Sequence, residues 1–201
     1  MIQPKVEIVG GTSATVSFEK MPGRLKTAVT RGMRKIGVMM ERYIKTQKLS
    51  GQALQARTGN LRRSIFYRVG TTQDDAFVVV GADLEKAKYA RVQELGGVIR
   101  PKRSANLAIP IGEARTRNGV ARFTARDLIG NPGAFGYTGT FVRNRIIFGK
   151  KGQRIYPLFV LKPQVEIKAV GYLSGSVAEK RGEMVDLLTA ELKAEISANG
   201  K

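Results

Sequence analysis

The stretch LRRSIFYRVGTTQDDAFVVVGA, Leu61–Ala82, holds two β-strand patterns separated by a short polar turn. The first pattern sets two groups of side chains in alternation: Ile65, Tyr67 and Val69 against Phe66 and Arg68. The second is the β-branched run FVVV, Phe77–Val80, which is typical of a strand with both faces covered. Because the connecting segment is short, these residues predict an antiparallel hairpin. We expect its first strand to begin near Leu61, directly after a turn at Thr58–Gly59.

Two longer segments have the three-and-four spacing of apolar residues that indicates amphipathic helices. The first is predicted over Arg24–Lys45, with this apolar stripe: Leu25, Val29, Met33, Ile36, Met40, Tyr43 and Ile44. The second is predicted over Ser174–Ile196, where Ser176 and Glu179 have the spacing of a capping box. Its apolar face is formed by Val177, Met184, Val185, Leu188, Leu192 and Ile196.

Three shorter patterns complete the predicted fold. Lys5–Lys20 indicates an N-terminal hairpin, or an arm that orders only against a partner. Asp83–Gly97 indicates a short helix with Asp83 as its N-cap and glycines at its end. Arg154–Leu173 is patterned as strand, and its two prolines favour an edge or a bent strand. We therefore expect an α+β fold, in which a small antiparallel sheet is packed by two amphipathic helices plus a short helix.

The middle of the chain differs in composition from the rest. Val98–Tyr156 contains 12 Lys and Arg against two Asp and Glu, and it is rich in glycine. A long segment of this kind is usually functional or ordered only in an assembly. We expect an N-terminal hairpin or arm over 1–20, one α+β core over 21–99 and 154–197, and a long basic β-rich excursion over 100–153.

The whole chain is strongly basic, with 35 Lys and Arg against 16 Asp and Glu and a formal charge of +19. A charge of this size implies a polyanionic neighbour, most often nucleic acid, and sometimes a membrane or an acidic protein surface. The alternative is a basic surface kept for solubility. No signal peptide and no apolar run of membrane-spanning length is evident, so we expect no membrane partner and a cytoplasm-like compartment.

The sequence argues against most catalytic chemistry. There is no Cys and no His, which excludes thiolate and imidazole nucleophiles, imidazole bases and the metal sites built from them. A phosphate-binding loop at Gly149–Lys150 fails, because Asn144 stands where a glycine is needed and Lys151 where Ser or Thr is needed. Asp74–Asp75 lie in the predicted hairpin turn and are interpreted as turn formers. We expect no enzyme activity, no cofactor and no metal.

Nucleic-acid binding has more support in the sequence. The basic segment carries aromatic residues among its arginines, a mixture that suits phosphate neutralisation with base stacking: Phe123, Phe135, Tyr137, Phe141 and Phe148. The alternative is that these rings pack a subunit interface. No sequence-reading module is evident, so any DNA contact is predicted to be sequence-independent. The candidate contacts to DNA or to a neighbouring ring are Arg115, Arg117, Arg122, Arg126, Arg143, Arg145, Lys150 and Lys151.

An ordered set of motifs begins with RTGNLRRSI, Arg57–Ile65. A Thr-Gly-x-Leu-x-x-Ser-Ile element follows the first amphipathic helix, and FVVVGA and then YARVQELGG follow it in turn. This order resembles the tail-completion and neck proteins of long-tailed bacteriophages, a family that includes head–tail joining, virion morphogenesis and minor tail proteins. The matching positions are Thr58, Gly59, Leu61, Ser64, Ile65, Tyr89, Ala90, Glu94, Gly96 and Gly97. The closing strand and helix are also similar, so the resemblance covers Gly23–Arg103 and Arg154–Ile196 and leaves 100–153 unexplained.

The resemblance implies a structural virion protein of the head–tail connector or the tail end, of the tail-completion or tail-terminator type. It implies a homo-oligomeric ring, with a hexamer favoured and a dodecamer possible, which joins tail to head and lets genomic double-stranded DNA pass. Its partners would be other neck, portal-side and tail-tube proteins, and it would reside in the virion after assembly in the host cytoplasm. The alternative left open by the residues is a free-standing, sequence-independent nucleic-acid-binding protein.

Overall fold

The computed structural model of the chain describes residues 6–9, 13–17, 23–51, 54, 58–73 and 75–198. The chain divides into two compact units: Met1–Leu95 with Ala169–Lys201 forms the first, and Gly96–Lys168 forms the second. The combination of helices with small antiparallel sheets confirms the predicted α+β class. The sequence-based division assigned residues from 154 onward to the core, whereas the structure has the second unit continue to Lys168.

The first unit contains a four-stranded antiparallel sheet in the order β1-β2-β4-β3. Its strands are β1 Val6–Val9, β2 Ser13–Ser17, β3 Ile65–Thr71 and β4 Asp75–Ala82. The predicted pairings of β1 with β2 and of β3 with β4 are both confirmed. Strand β2 also pairs with β4, from Ser13 opposite Val79 to Ser17 opposite Asp75, so the N-terminal hairpin extends the core sheet.

The start of β3 differs from the prediction. Asn60–Ser64 forms a short helix, α2, and the strand begins only at Ile65. The helical turn is closed locally, because the Ser64 hydroxyl donates to the Leu61 carbonyl at 2.8 Å. Leu61 and Ile65 are nevertheless both buried in the core, as expected for the residues that anchor this connection.

Two long helices supply most of the core of the first unit. Helix α1 spans Gly23–Tyr43 and continues as a π-helical turn over Ile44–Lys48, and helix α5 spans Ser174–Ala198. The buried core combines residues of α1 and its π-helical turn, α5 and the sheet: Val29, Met33, Ile36, Met40, Ile44, Val78, Val80, Val177, Met184 and Leu188. Val185 and Ile196, which the sequence assigned to the apolar face of α5, are exposed.

The short helix predicted over Asp83–Gly97 is correct only in its second half. Helix α3 spans Ala90–Leu95, and the residues before it form turns. Asp83 does cap one of these turns, since its carboxylate accepts the backbone N–H of Glu85 at 3.0 Å. The predicted glycine stop is confirmed by the left-handed backbone of Gly96, at φ 72°.

The capping box predicted for α5 is wrong. Ser176 lies inside the helix and is fully buried, and its hydroxyl donates to the Tyr172 carbonyl at 2.6 Å. Glu179 instead accepts hydrogen bonds from Tyr43 at 2.5 Å and from Lys48 at 2.6 Å. The helix begins at Ser174, as its predicted span has it, and a carboxylate from α3 provides the cap there.

The second unit is a β-structure with one short α-helix and two 3-10 helices, Gly112–Ala114 and Pro132–Phe135. Its four-stranded antiparallel sheet has the order β6-β9-β8-β7, and a separate two-stranded sheet pairs β10 with β5. The strands are β5 Gly97–Ile99, β6 Leu107–Pro110, β7 Gly139–Arg143, β8 Ile146–Lys151, β9 Arg154–Lys162 and β10 Val165–Ile167. Helix α4, Ala125–Gly130, begins at a Thr124 cap that accepts the backbone N–H of Asp127.

Of the two predictions for this strand, an edge or a bent strand, the edge is wrong, because β6 and β8 flank β9 on both sides. The bent strand is the alternative that the β-bulge supports. Proline is tolerated here by a β-bulge. Ile147 opposes Phe159 and Phe148 opposes Pro157, which leaves Leu158 as an extra residue in the ladder. A bulge relaxes the hydrogen-bond register at the residue that has no N–H, so an inner strand can accept Pro157.

The four-stranded sheet of the second unit has two different faces. One face is covered by a buried cluster: Ala114, Leu128, Tyr137, Ile147, Leu158 and Phe159. Residues directly opposite each other on neighbouring antiparallel strands share a face, which places a second set on the other side. This second set, termed the open face, has twelve residues, none of them buried: Leu107, Ile109, Gly139, Phe141, Arg143, Ile146, Phe148, Lys150, Ile155, Pro157, Val160 and Lys162.

Candidate nucleic-acid interface

The eight candidate cations all lie in the second unit, and all are exposed. Their positions are the loop closed by the Arg115–Ala121 bridge, helix α4, the β7–β8 turn and the end of β8. Within the described residues, none of the eight forms an ion pair with a carboxylate. The structure therefore spreads them over several elements of the same unit and leaves each one available to an external anion.

The second unit as a whole carries most of the positive charge. Gly96–Lys168 contains fourteen Lys and Arg against three Asp and Glu, which gives a formal charge of +11. Two of these acids are engaged locally, since Glu113 accepts the Tyr137 hydroxyl at 2.9 Å and Asp127 accepts the Thr124 hydroxyl at 2.7 Å. The positive field of this unit is therefore not balanced from within, which is the electrostatic condition for binding a polyanion.

The five aromatic residues predicted to stack on bases divide between the two faces of the sheet. Phe123 lies 4.5 Å from Phe135 and 6.0 Å from Phe159 between ring centroids, within the covered cluster. Tyr137 is buried there as well, and burial, followed by its hydrogen bond to Glu113, raises the pKa of Tyr137 to about 12. Phe123, Phe135 and Tyr137 therefore build the core of the second unit, whereas the sequence offered base stacking or a subunit interface for them.

Phe141 and Phe148 have a different environment from the other three. They oppose each other on β7 and β8 and stack with ring centroids 5.2 Å apart and planes inclined by 14°. Both belong to the open face, and Phe141 keeps 37% of its surface exposed. Lys162 shares this face at the end of β9, opposite Leu107. Lys162 was not among the cations predicted from the sequence, because its face is set by the pairing of β9 with β6 and by the bulge within β9.

The family-signature turn serves the fold of the first unit. Gly59 has a left-handed backbone at φ 73°, which lets the chain enter α2 abruptly. Arg63 closes the turn, because its guanidinium donates to the Thr58 carbonyl at 3.1 Å and to the Asn60 side chain at 2.5 Å. Arg57, the first residue of the motif, lies outside the described residues. Among the signature arginines that the structure describes, Arg63 is thus engaged locally and Arg62 is exposed.

Ser64 and Ile65 complete this joint from inside. The Ser64 side chain is buried with its hydroxyl satisfied, and its carbonyl accepts the backbone N–H of Asp83 at 2.9 Å. That bond ties the beginning of β3 to the residue that follows β4. The small hydroxyl at position 64 therefore fits a buried site next to the strand, where a larger side chain would meet the core.

The second half of the signature holds α3 against the start of α5. Glu94 accepts the backbone N–H groups of Leu173 and Ser174 at 2.8 and 2.9 Å. The Tyr172 hydroxyl donates to the carbonyl of Ala90, which is buried, at 3.4 Å, and burial raises the Tyr172 pKa above its usual value. Three other signature positions are backbone or surface features: Gly96 and Gly97 have φ of 72° and 147°, and Tyr89 is 41% exposed.

The first unit also has an open groove between α1 and α5. Its volume is about 800 Å³, with Val38, Met39 and Leu187 among its apolar lining and Arg34 and Arg42 among its cations. Neither of these two arginines forms an ion pair with a described residue. The groove is a second basic surface of the protein.

The acidic residues do not form a metal-binding cluster in the part of the chain that the structure describes, where no group of three or more potential ligands comes together. Among the described helices, none is long and apolar enough to cross a membrane.

Comparison of the chain with family models, curated proteins and solved structures finds no match.

Proposed function

We propose that this chain is a structural virion protein of a bacteriophage head–tail connector or tail end, of the tail-completion or tail-terminator type. The observation that carries the proposal is the uncompensated charge of the second unit, where eight exposed cations have no ion pair among the described residues. A surface of this kind suits a protein past which DNA moves, because it attracts the phosphate backbone without selecting a sequence.

The order of the signature positions supports the same proposal. Gly59 and Leu61 form the entry to the core hairpin, and Glu94 fixes the start of α5, so these positions stabilise the first unit. Residues that set a fold are what a family of structural proteins would share. We propose that the protein is not an enzyme and requires no cofactor, and that it acts by assembling and docking.

The proposed assembly is a homo-oligomeric ring, with a hexamer favoured and a dodecamer as the alternative, in contact with neck, portal-side and tail-tube proteins. It would reside in the virion, at the head–tail junction or tail end, after assembly in the host cytoplasm. Double-stranded genomic DNA would pass through it. The five arginines chosen for neutralisation, which would contact the DNA or a neighbouring ring, are Arg115, Arg117, Arg122, Arg143 and Arg145.

The mass of the purified protein tests the ring. The chain weighs 22.0 kDa, so a hexamer is expected near about 132 kDa and a dodecamer near about 264 kDa. Negative-stain images should then show closed rings, alone or at the ends of tails. A particle that remains at 22.0 kDa at all concentrations and never associates with tails would contradict the proposal.

A free-standing nucleic-acid-binding protein is the second candidate, because the exposed cations of the second unit would serve a monomer equally well. This candidate predicts duplex binding by a monomer, with a steep loss of affinity as salt rises.

Neutralisation of the five arginines to Gln tests their role under either candidate. We expect weaker assembly or weaker DNA retention, with a shallower dependence of duplex affinity on salt. A matched control removes five exposed cations of the first unit, which the described residues leave without ion pairs: Arg24, Lys88, Arg91, Arg181 and Lys193. If the two variants, each with five substitutions, lose duplex affinity by the same factor, the total charge of the protein decides binding. The assignment of DNA contacts to the second unit is then wrong.

A further inference from the structure

The open face of the second unit combines three kinds of side chain on one surface. Its aromatic residues are the stacked pair Phe141 and Phe148, on the edge strand β7 and its neighbour β8. Its cations are Arg143, Lys150 and Lys162. Aliphatic residues fill the space between: Leu107, Ile109, Ile146, Ile155 and Val160. None of its twelve residues is a carboxylate, so the face has no internal counter-charge.

The strand register sets the spacing between the rings and the cations. On β7, Arg143 lies two residues beyond Phe141, and on β8, Lys150 lies two residues beyond Phe148. Because these strands are antiparallel, the two cations stand on opposite sides of the ring pair, about 13 Å apart along the strands. An extended polyanion that lies across Phe141 and Phe148 along the strands would thus contact a positive charge on each side of the two rings.

We propose that the open face binds single-stranded nucleic acid without base preference, with Phe141 and Phe148 stacking on bases and Arg143, Lys150 and Lys162 contacting phosphates. Exposed aromatic rings within a basic surface are the common device for holding single strands, since every base has a face that can stack. In a duplex the base faces are already stacked on each other, so the rings would add nothing there.

The charge of the face argues against a second copy of this chain as its occupant. Two open faces brought together would set cations against cations with no carboxylate between them. An acidic protein remains the competing occupant, and the experiment below separates it from a polynucleotide. The proposal does not depend on the connector function, because a ring and a monomer would contain the same sheet.

Binding is tested by fluorescence anisotropy of the full chain with a roughly 20-nucleotide oligothymidylate, a duplex of equal length and a polyglutamate of similar charge, in about 100 mM salt. Phe141→Ala is expected to weaken oligothymidylate binding roughly fivefold to a hundredfold and to leave duplex binding within about twofold. Phe141→Leu keeps an apolar side chain against Phe148 and removes the aromatic ring, so it should show the same selective loss even if the alanine variant folds poorly. The matched control is Val142→Ala, the exposed neighbour on the other face of β7, which should change neither affinity.

The cations have their own comparison. The double variant Arg143→Gln and Lys150→Gln should weaken oligothymidylate binding more than Lys102→Gln with Arg103→Gln, which removes the same charge from an exposed segment of the same unit. The proposal is overturned if polyglutamate or duplex binds as tightly as oligothymidylate, or if both Phe141 variants bind it normally. If the protein forms ring-shaped oligomers that bind single strands no more tightly than duplex, the single-strand proposal is wrong and the connector proposal stands. If it stays a monomer that binds single strands selectively, the connector proposal is wrong and the single-strand proposal stands.

Discussion

The Glu94 carboxylate accepts two hydrogen bonds from Ser174, one from its backbone N–H at 2.9 Å and one from its hydroxyl at 2.7 Å. The backbone N–H of Leu173 adds a third at 2.8 Å. The first turn of a helix has unpaired N–H groups and a partial positive charge. A carboxylate at this point stabilises the helix by accepting hydrogen bonds from those N–H groups and by its favourable interaction with the helix dipole. A residue of α3 thus determines where α5 begins, 80 residues further along the chain.

Replacement of Glu94 should therefore destabilise the first unit. We expect Glu94→Ala to lower the free energy of unfolding by about 1–2 kcal/mol, the usual cost of a lost cap. Glu94→Gln retains an acceptor and should lose less. Urea unfolding followed by circular dichroism measures both, because the chain has no Trp for fluorescence. Glu85→Ala, an exposed acid of the same unit, is the control, and a loss equal to that of Glu94→Ala would show that the cap contributes nothing.

Substitution of glycine by alanine is expected to have opposite effects on the free energy of unfolding at two helical positions, 37 and 182. A Cβ added at Gly37 of α1 would lie 2.4 Å from the Tyr67 ring of β3, whereas one added at Gly182 of α5 would meet no atom within 4 Å. Gly182→Ala should raise the free energy of unfolding by roughly 0.5–1 kcal/mol through helix propensity. Gly37→Ala should lower it by about 1–3 kcal/mol, because the ring has to move. Thermal or urea unfolding compares the two, and a gain for Gly37→Ala would mean that α1 is not held tightly against the sheet.

The ion pairs of Glu191 predict a pH dependence for the first unit. Hydrogen bonds from Lys35, which has the larger effect, and from Arg31 lower the pKa of the Glu191 carboxylate below its usual 4.5 in the folded chain. A lowered folded pKa gives stability that is present above the unfolded value and is lost as the pH falls through the folded one. The difference in thermal midpoint between the wild type and Glu191→Gln should therefore shrink as the pH falls below about 4.5. Asp186→Asn on the same helix, without an ion pair among the described residues, should follow the wild type; a constant gap for Glu191→Gln would contradict the prediction.

Local patterns were sufficient to predict the elements that bury their own periodic stripe. Val29, Met33 and Ile36 recur at helical spacing and are buried, and the β3–β4 hairpin follows from alternation and a short turn. The errors arose where a distant residue decides the local structure. The Ser176 capping box looked complete in the sequence, but Glu94 provides the cap from α3.

The sequence predicted which residues make up the candidate interface, but not on which face of the sheet each of them lies. The sequence located the basic segment and its aromatic residues, yet it could not separate the core ring of Phe123 from the open-face ring of Phe141. That separation depends on strand register, and the bulge at Pro157 changes the register within β9. Only the folded sheet shows which arginines and lysines share a face with exposed rings.

The turn between β7 and β8 offers a way to separate charge from stability. Asn144 and Arg145 both have a left-handed backbone, at φ 50° and 60°, as in the type I′ turns for which Asn-Gly is the preferred pair. Arginine at this position costs roughly 1–2 kcal/mol of strain, more than the 0.5–1 kcal/mol of chain entropy that glycine costs. Arg145→Gly should therefore raise the stability of the second unit by about 0.5 kcal/mol.

Arg145→Ala is its matched partner, because it removes the same charge and keeps a Cβ in the strained conformation. We expect its thermal midpoint to stay near that of the wild type, while Arg145→Gly melts higher. The Arg145 carbonyl accepts the Leu161 backbone N–H at 2.7 Å, and neither change removes that bond. If Arg145 contacts a polyanion, both variants should bind duplex DNA more weakly by the same factor, despite their different stabilities. A loss of affinity in only one of them would show that turn conformation, and not the charge at position 145, governs binding.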